Sequence, residues 1–354
     1  MRNPMGVYAA LNLAVVAMPA ILFSPAIQAA NSSGREAGGP QVKKDPKHTP
    51  AARAGIQTPG VQIPFAALKA EAEVAAAPAW IGVADSLLLP NAEKGTLDRL
   101  DLKTNKPVDS IADLSEPCGG AITAFGSVWV PGCPAQALVR IDPKTWKVTG
   151  KVATGAGAAQ PALAASADSV WVLSDNKTTL SRVDPDQNAV VAEIRLPAGC
   201  NSLTFGETAL WATCPSDGHL VRINPQTNLV EKYIEVAGEP EAIAIGEGSV
   251  WVYCRKEGKI ERIDPKTNKS VKIIETGVPG AHGEMAIGLG SLWLTQEGFP
   301  LTRIDPQTEK VVQQFFGAGG GAIQIAANSL WLSNRAEKTL WRIDPKRVAA
   351  TLAE

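Results

Sequence analysis

His282 and Glu284 stand two residues apart in the stretch GVPGAHGEM, and their types suggest chemistry most directly. An imidazole titrates near neutral pH and a carboxylate beside it can hold its charged form, so the pair has the make-up of a general base. Together with Glu241 it could instead ligate a divalent metal such as Mg, and no other cofactor is suggested. The plainer reading of His282 is a loop histidine hydrogen-bonded to backbone. The sequence holds no Gly-rich phosphate loop leading a helix, no G-x-S-x-G elbow and no clustered zinc ligands.

The five cysteines form a second constellation. Cys118 and Cys133 are equidistant from Phe125–Gly126, and Cys200 and Cys214 from Glu207, each the expected turn of a β-hairpin. Residues equidistant from such a turn face each other within disulfide reach. The expected bridges are Cys118–Cys133 and Cys200–Cys214. Cys254 has Pro240 opposite it and should remain a thiol, packed as a small hydrophobe.

The elements that position these residues follow from internal repetition. GSVWV or a close variant recurs around Trp129, Trp171, Trp211, Trp251, Trp293 and Trp331, at steps of 38 to 42 residues. After each comes R-(I/V)-(D/N)-P, at Asp142, Asp184, Asn224, Asp264, Asp305 and Asp344. An earlier copy has Leu88 in the Trp position and Asp101 in the Asp position. Each unit reads as four strands. In the fifth these are EAIAI, SVWVYC, KIERI and KSVKIIET, with DPKTN turning the third into the fourth. Pro presets the turn, Asp or Asn accepts its hydrogen bonds, and Asn268 tolerates the left-handed conformation. Val-Trp-Val runs are apolar at consecutive positions, as in a strand buried on both faces. These features predict an all-β, seven-bladed β-propeller with four antiparallel strands per blade over residues 80–354. The six tryptophans should be interblade core, with a stacking platform for a quinone or sugar the alternative.

Carried around the disc, the cross-strand position of the cysteines holds Gln160/Ser174, Pro240/Cys254, His282/Gln296 and Gly320/Asn334. Glu239, Glu241 and Glu284 lie beside it, and Arg255 and Arg335 follow strand two. The expected ligand-binding rim at the channel mouth is therefore Gln160, Glu239, Glu241, Arg255, Gln296, Asn334 and Arg335.

Leu11–Phe23 is apolar, Arg2 precedes it and small residues surround Ala29 and Ala30, so residues 1–30 read as a signal peptide. A retained anchor is the alternative, against which the stretch is short and contains Pro19. Residues 31–60 read as a disordered linker and 61–79 as an extension packing on the propeller, as an outer strand or short helix. A periplasmic or secreted, monomeric protein is expected. Its formal net charge of −1 gives no footprint for nucleic acid or an anionic membrane.

The units GSVWV and L-x-R-I-D-P-x-T-N-x-V resemble YVTN-type bacterial propeller repeats. They also resemble the streptogramin B lyase (virginiamycin B lyase) family, whose blades carry G-x-(I/L)-W-F and I-G-R-(I/L) strands. The resemblance covers all seven units and implies a propeller that linearises a cyclic antibiotic by elimination, with magnesium at the channel mouth. It places the family's first histidine on His282, eleven residues before Trp293. The family's glutamate position holds Gln296 and its second histidine position holds Gly320. Binding of a small ligand, a peptide or a partner protein at the rim, without catalysis, is the leading expectation. A lyase or hydrolase of the streptogramin type, with His282 as base and Glu284 and Glu241 around a metal, is the alternative.

Overall fold

Six of the seven repeats close on themselves through their most regular segment, the D-P-x-T-N turn or a variant of it. The Asp142 carboxylate accepts the Lys144 and Thr145 N–H groups at 2.7 and 3.3 Å, and Asp264 accepts that of Lys266 at 2.8 Å. These donors hold both carboxyls below the usual aspartate range. The turn's last residue is left-handed, as at Asn188 (φ 50°), Asn228 (φ 59°) and Asn268 (φ 56°). Such turns join strands three and four, and with the hairpin ahead of them they make one four-stranded antiparallel sheet.

The computed structural model describes residues 54–91, 93–112, 114, 116–155, 161–174 and 178–351. The expected signal peptide and most of the expected linker lie outside the described residues. Seven sheets follow one another along the chain. Blade 1 contains Gly82–Val83, Ser86–Asn91, Thr96–Asp101 and Pro107–Ile111; blade 2 runs from Ile122–Ala124 to Lys147–Ala153. Blades 3 and 4 begin with Leu163–Ala165 and Ser202–Gly206. Blade 5 comprises Pro240–Gly246, Ser249–Cys254, Lys259–Asp264 and Lys269–Glu275. Blade 6 comprises Gly283–Gly288, Ser291–Gln296, Phe299–Asp305 and Lys310–Phe316, and blade 7 Ile323–Ala326, Ser329–Asn334 and Thr339–Ile343.

Strand two of each blade is buried on both sides, and all six repeat tryptophans are fully buried between blades. Trp129, Trp211, Trp251, Trp293 and Trp331 each donate the indole N–H to the carbonyl five residues earlier, at 3.0–3.3 Å. They are core, and their one polar atom is satisfied.

In five of its six copies the arginine of R-(I/V)-(D/N)-P ties its blade to the next. Arg140 donates to Pro185 O and Asn188 Oδ1 of blade 3, Arg182 to Asn228 Oδ1 of blade 4, and Arg222 to Asn268 Oδ1 and Pro265 O of blade 5. Arg262 holds the Glu309 carboxylate of blade 6 at 2.7 Å. Arg342 of blade 7 reaches Leu102 O and Asn105 Oδ1 of blade 1, and Ile81 and Leu87 pack with Trp331 and Leu340. The ring is closed.

The extension does what an edge requires. Ala72–Val74 pairs antiparallel with Thr339–Ile343 as the fourth strand of blade 7, and Gln62–Pro64 adds in parallel to Lys310–Phe316 as a fifth strand of blade 6. Between them Phe65–Ala67 forms a 3-10 turn, with Phe65 stacked on Trp341 at 4.6 Å. The extension thus contributes strand to the propeller as well as packing. Residues 54–60, the end of the expected linker, also contact the disc: Gly55 N–H bonds Gly277 O at 2.7 Å and Ile56 N–H bonds Gln314 Oε1 at 2.8 Å. Both expected disulfides are bonded, with Cα separations of 5.7 Å (Cys118–Cys133) and 3.9 Å (Cys200–Cys214), and Cys254 is a buried free thiol whose pKa burial pushes up.

Candidate functional site

Blade 5 enters its first strand through Glu239-Pro240-Glu241. Pro240 pairs with Cys254 and Ala242 with Tyr253, which leaves Glu241 as the extra residue of a β-bulge. A bulge re-aims the side chain it carries. The Glu241 carboxylate crosses to blade 6, where Oε1 lies 2.5 Å from His282 Nδ1 and Oε2 accepts the Gly283 N–H at 3.3 Å. Glu239 is left-handed (φ 57°), and its Oε2 takes Nε and Nη2 of Arg255 at 2.9 and 2.5 Å. Arg255 Nη1 then lies 2.7 Å from His282 Nε2. The same Nη1 lies 3.3 Å from Nδ1, so the guanidinium sits against the ring face while the Glu241 carboxylate meets Nδ1 at the ring edge. Glu239, Arg255, His282 and Glu241 form one continuous polar chain across the blade 5–blade 6 seam.

Beside this chain is a cavity of about 680 Å³. Glu241, Glu284 and Glu297 supply three carboxylates, Arg335 a guanidinium, and Gly319–Gly321 a wall of bare backbone. Glu284 keeps some surface open to the cavity, but its carboxyl is surrounded by protein and takes the Ile323 N–H. Burial, with a smaller push from Glu241, raises its pKa to about 7 against the opposing pull of Arg335 and that hydrogen bond. The three glycines are dictated by close approach. A Cβ on Gly319 would meet Asn334 Oδ1 at 2.2 Å, one on Gly320 Gln296 O at 2.6 Å, and one on Gly321 Ser333 O at 2.5 Å.

Several expectations for the rim need correction. His282 does not face Gln296: Gly283 does, because blade 6 lacks the extra residue that Glu241 gives blade 5. His282 therefore falls one residue before the strand, with 71% of its side chain exposed. Gln296 is buried, donating to Tyr253 Oη at 2.8 Å and Val278 O at 3.2 Å. Tyr253 in turn donates to Ala281 O at 2.7 Å, which holds the His282 loop, and burial raises its pKa to about 12. Asn334 is also buried, its Oδ1 accepting the Ala336 and Glu337 N–H groups to shape the following loop. Arg335 lines the cavity and bonds Ala79 O at 3.1 Å. Gln160 lies outside the described residues. Sequence reasoning missed Glu297, Thr295 and the glycine wall; the run AGGGA was the available signal for the last.

The residues do not fit a magnesium ion. Nδ1 of His282 is paired with Glu241, and the Arg255 guanidinium against the ring already supplies the local cation. Among the described residues no three His, Cys, Asp or Glu side chains are grouped to hold a metal. Glu241, His282 and Glu284 line one cavity but do not form such a group.

A scan of protein-family models gives no match, and neither does a search of curated proteins. Solved structures do match. The fold is similar to that of streptogramin B lyase. One such structure aligns with a TM-score of 0.64 at 17% identity, over 75% of this chain and 93% of the other. Virginiamycin B lyase from Staphylococcus aureus gives 0.64 at 18% identity, over 77% and 97%. BamB from Moraxella catarrhalis gives 0.57 at 15%, over 74% and 81%. At these identities the likeness is one of fold, and propellers host unrelated functions.

Proposed function

We propose that this protein is an exported binding propeller that takes a small amine-bearing ligand, free or at the end of a peptide, in its rim cavity without catalysis. The supporting observation is the charge of that cavity, where Glu241, Glu284 and Glu297 face a single lining guanidinium, Arg335. Its volume of about 680 Å³ suits a small molecule. Ordered neighbours hold Glu241 and Glu284 before any ligand arrives, which lowers the cost of binding. Export is supported by the two disulfides, which persist in oxidising compartments. Among the described residues no helix is long and apolar enough to cross a membrane.

A metal-assisted lyase has less support. The Arg255 cation lies against the ring a base would use and disfavours its taking up a proton, Gln296 is turned into the core, and Gly320 has no room for a histidine.

Calorimetry with cadaverine, and with a short peptide bearing a free or acetylated amino terminus, tests the proposal. Glu284→Gln and Glu241→Gln should each weaken amine binding by about tenfold or more, as loss of a charge-assisted partner does. Affinity for cadaverine, whose amines stay charged, should rise as pH increases through about 7, because the cation prefers ionised Glu284. Equal binding by the acetylated peptide, or unchanged affinity in both variants, would reject it.

A further inference from the structure

On the disc face opposite the rim, the repeat arginines have a common task, and Arg303 departs from it. Arg140, Arg182, Arg222, Arg262 and Arg342 each give Nη1 to oxygen acceptors on the next blade's turn. Arg99 reaches the next blade by stacking over Trp146 at 3.8 Å. Arg303 of blade 6 has no such turn to hold. The fourth strand of blade 7 comes from Ala72–Val74, so the chain after Ile343 forms the helix Pro345–Ala350 and not a strand-joining turn. Arg303 falls back on its own blade, donating Nε to Ser291 Oγ at 2.9 Å and Nη1 to Gln313 Oε1 at 3.1 Å.

Where the turn would be there is a cavity of about 630 Å³. Its charges are unequally matched. Glu71 lies 3.4 Å from Arg342 Nε and accepts the Ser329 hydroxyl, and Asp344 accepts the Lys346 N–H as the helix cap. Among the described residues the hydrogen bonds of Arg303 go to neutral side chains, Asp305 acts on it only through space, and Lys346 makes no ion pair. Leu289, Ala327 and Ala349 give the remaining wall apolar character. The molecule itself shows what belongs on such an arginine, since Arg262 holds the Glu309 carboxylate one blade earlier.

We propose that this cavity binds a small organic carboxylate, which takes the place on Arg303 that the neighbouring turn's oxygens hold elsewhere in the ring and lays its apolar part against Leu289, Ala327 and Ala349. The planar guanidinium fork suits a carboxylate in paired geometry better than it suits a lone acceptor. Lys346 adds a second positive charge at the mouth. The site is independent of the rim cavity and of the function proposed for it.

The test is titration of the whole protein with phenylacetate, with phenylacetamide and inorganic phosphate as controls. Phenylacetate should bind, the amide at least about tenfold more weakly, and Arg303→Gln should lose binding by a similar factor while Arg303→Lys retains part of it. Ala349→Trp, on the exposed side of the short helix, should block binding sterically with Arg303 intact, which separates occupancy of the cavity from any effect on folding. No binding up to about 10 mM, equal binding of the amide, phosphate binding as well as phenylacetate, or undiminished binding in both Arg303→Gln and Ala349→Trp would overturn the proposal.

Discussion

Glu284 has an electrostatic consequence that can be measured without any ligand. Its carboxyl holds a proton up to about pH 7, whereas in the unfolded chain it would lose it near its ordinary value of 4.5. The folded state therefore binds that proton more tightly, and the linked stability is complete below pH 4.5 and lost as pH rises through 7. Glu284→Gln removes the linkage. Urea unfolding should show the variant gaining on the parent by about 1–3 kcal/mol at pH 8 and by almost nothing at pH 4. A constant difference across pH would contradict the assignment. Gly320 makes a steric prediction at the same scale. Its φ of 129° and the 2.6 Å approach of Gln296 O leave no place for a Cβ, so Gly320→Ala should cost about 1–3 kcal/mol of unfolding free energy. A histidine there would fare worse, so restoring the lyase pattern by substitution should fail structurally before it fails catalytically.

Among the elements, the interblade latch explains why arginine, proline and asparagine recur together. Arg222→Ala removes the bonds to Asn268 and Pro265, whereas Arg303→Ala removes only bonds within its own blade. Arg222→Ala should therefore be the more destabilising by about 1 kcal/mol in chemical denaturation, and the reverse order would remove the latch interpretation. The strands, their turns, the tryptophan core and both disulfides were legible in the sequence because local chemistry repeats: the same double-sided burial recurs in seven blades and the same turn residues, with variants, in six. The rim was less legible. A bulge at Glu241 leaves no compositional mark, yet it puts Pro240 opposite Cys254 in blade 5, whereas without one Gly283 and not His282 faces Gln296 in blade 6. Counting along a strand also could not tell that Gln296 and Asn334, at the strand's end, still point into protein. Glu241, Glu239 and Arg255 were found because they flank proline and strand ends, where side chains leave the sheet. The carboxylate of Glu297 and the glycine wall have no repeat-wide pattern to announce them.

The whole molecule is a ring fastened in two ways, by covalent bonds within blades 2 and 4 and by a non-covalent seam at blade 7. Thiol titration of unreduced, denatured protein should find one thiol, Cys254, and reduction should lower stability by about 3 kcal/mol per bridge for loops of this size. Removal of residues 1–78 should strip the outer strands from blades 6 and 7, lower the melting temperature and promote association through the bared edge, as seen by calorimetry and size-exclusion chromatography. A truncated protein that melts with the parent would show that the seam contributes little.

The seam also gives the ring a direction in time. Ala72–Val74 is synthesised before any blade, yet its hydrogen-bonding partner Thr339–Ile343 is synthesised after all the others. Six blades can assemble from hairpins made of neighbouring sequence as they emerge, while the seventh must wait for the start of the chain to be brought back to its finish, the most distant contact and the slowest kind to form. A nascent or interrupted chain therefore carries an unmatched strand at its beginning until the last blade exists. That strand is a mark by which a chaperone or protease could tell an unfinished copy from a completed one.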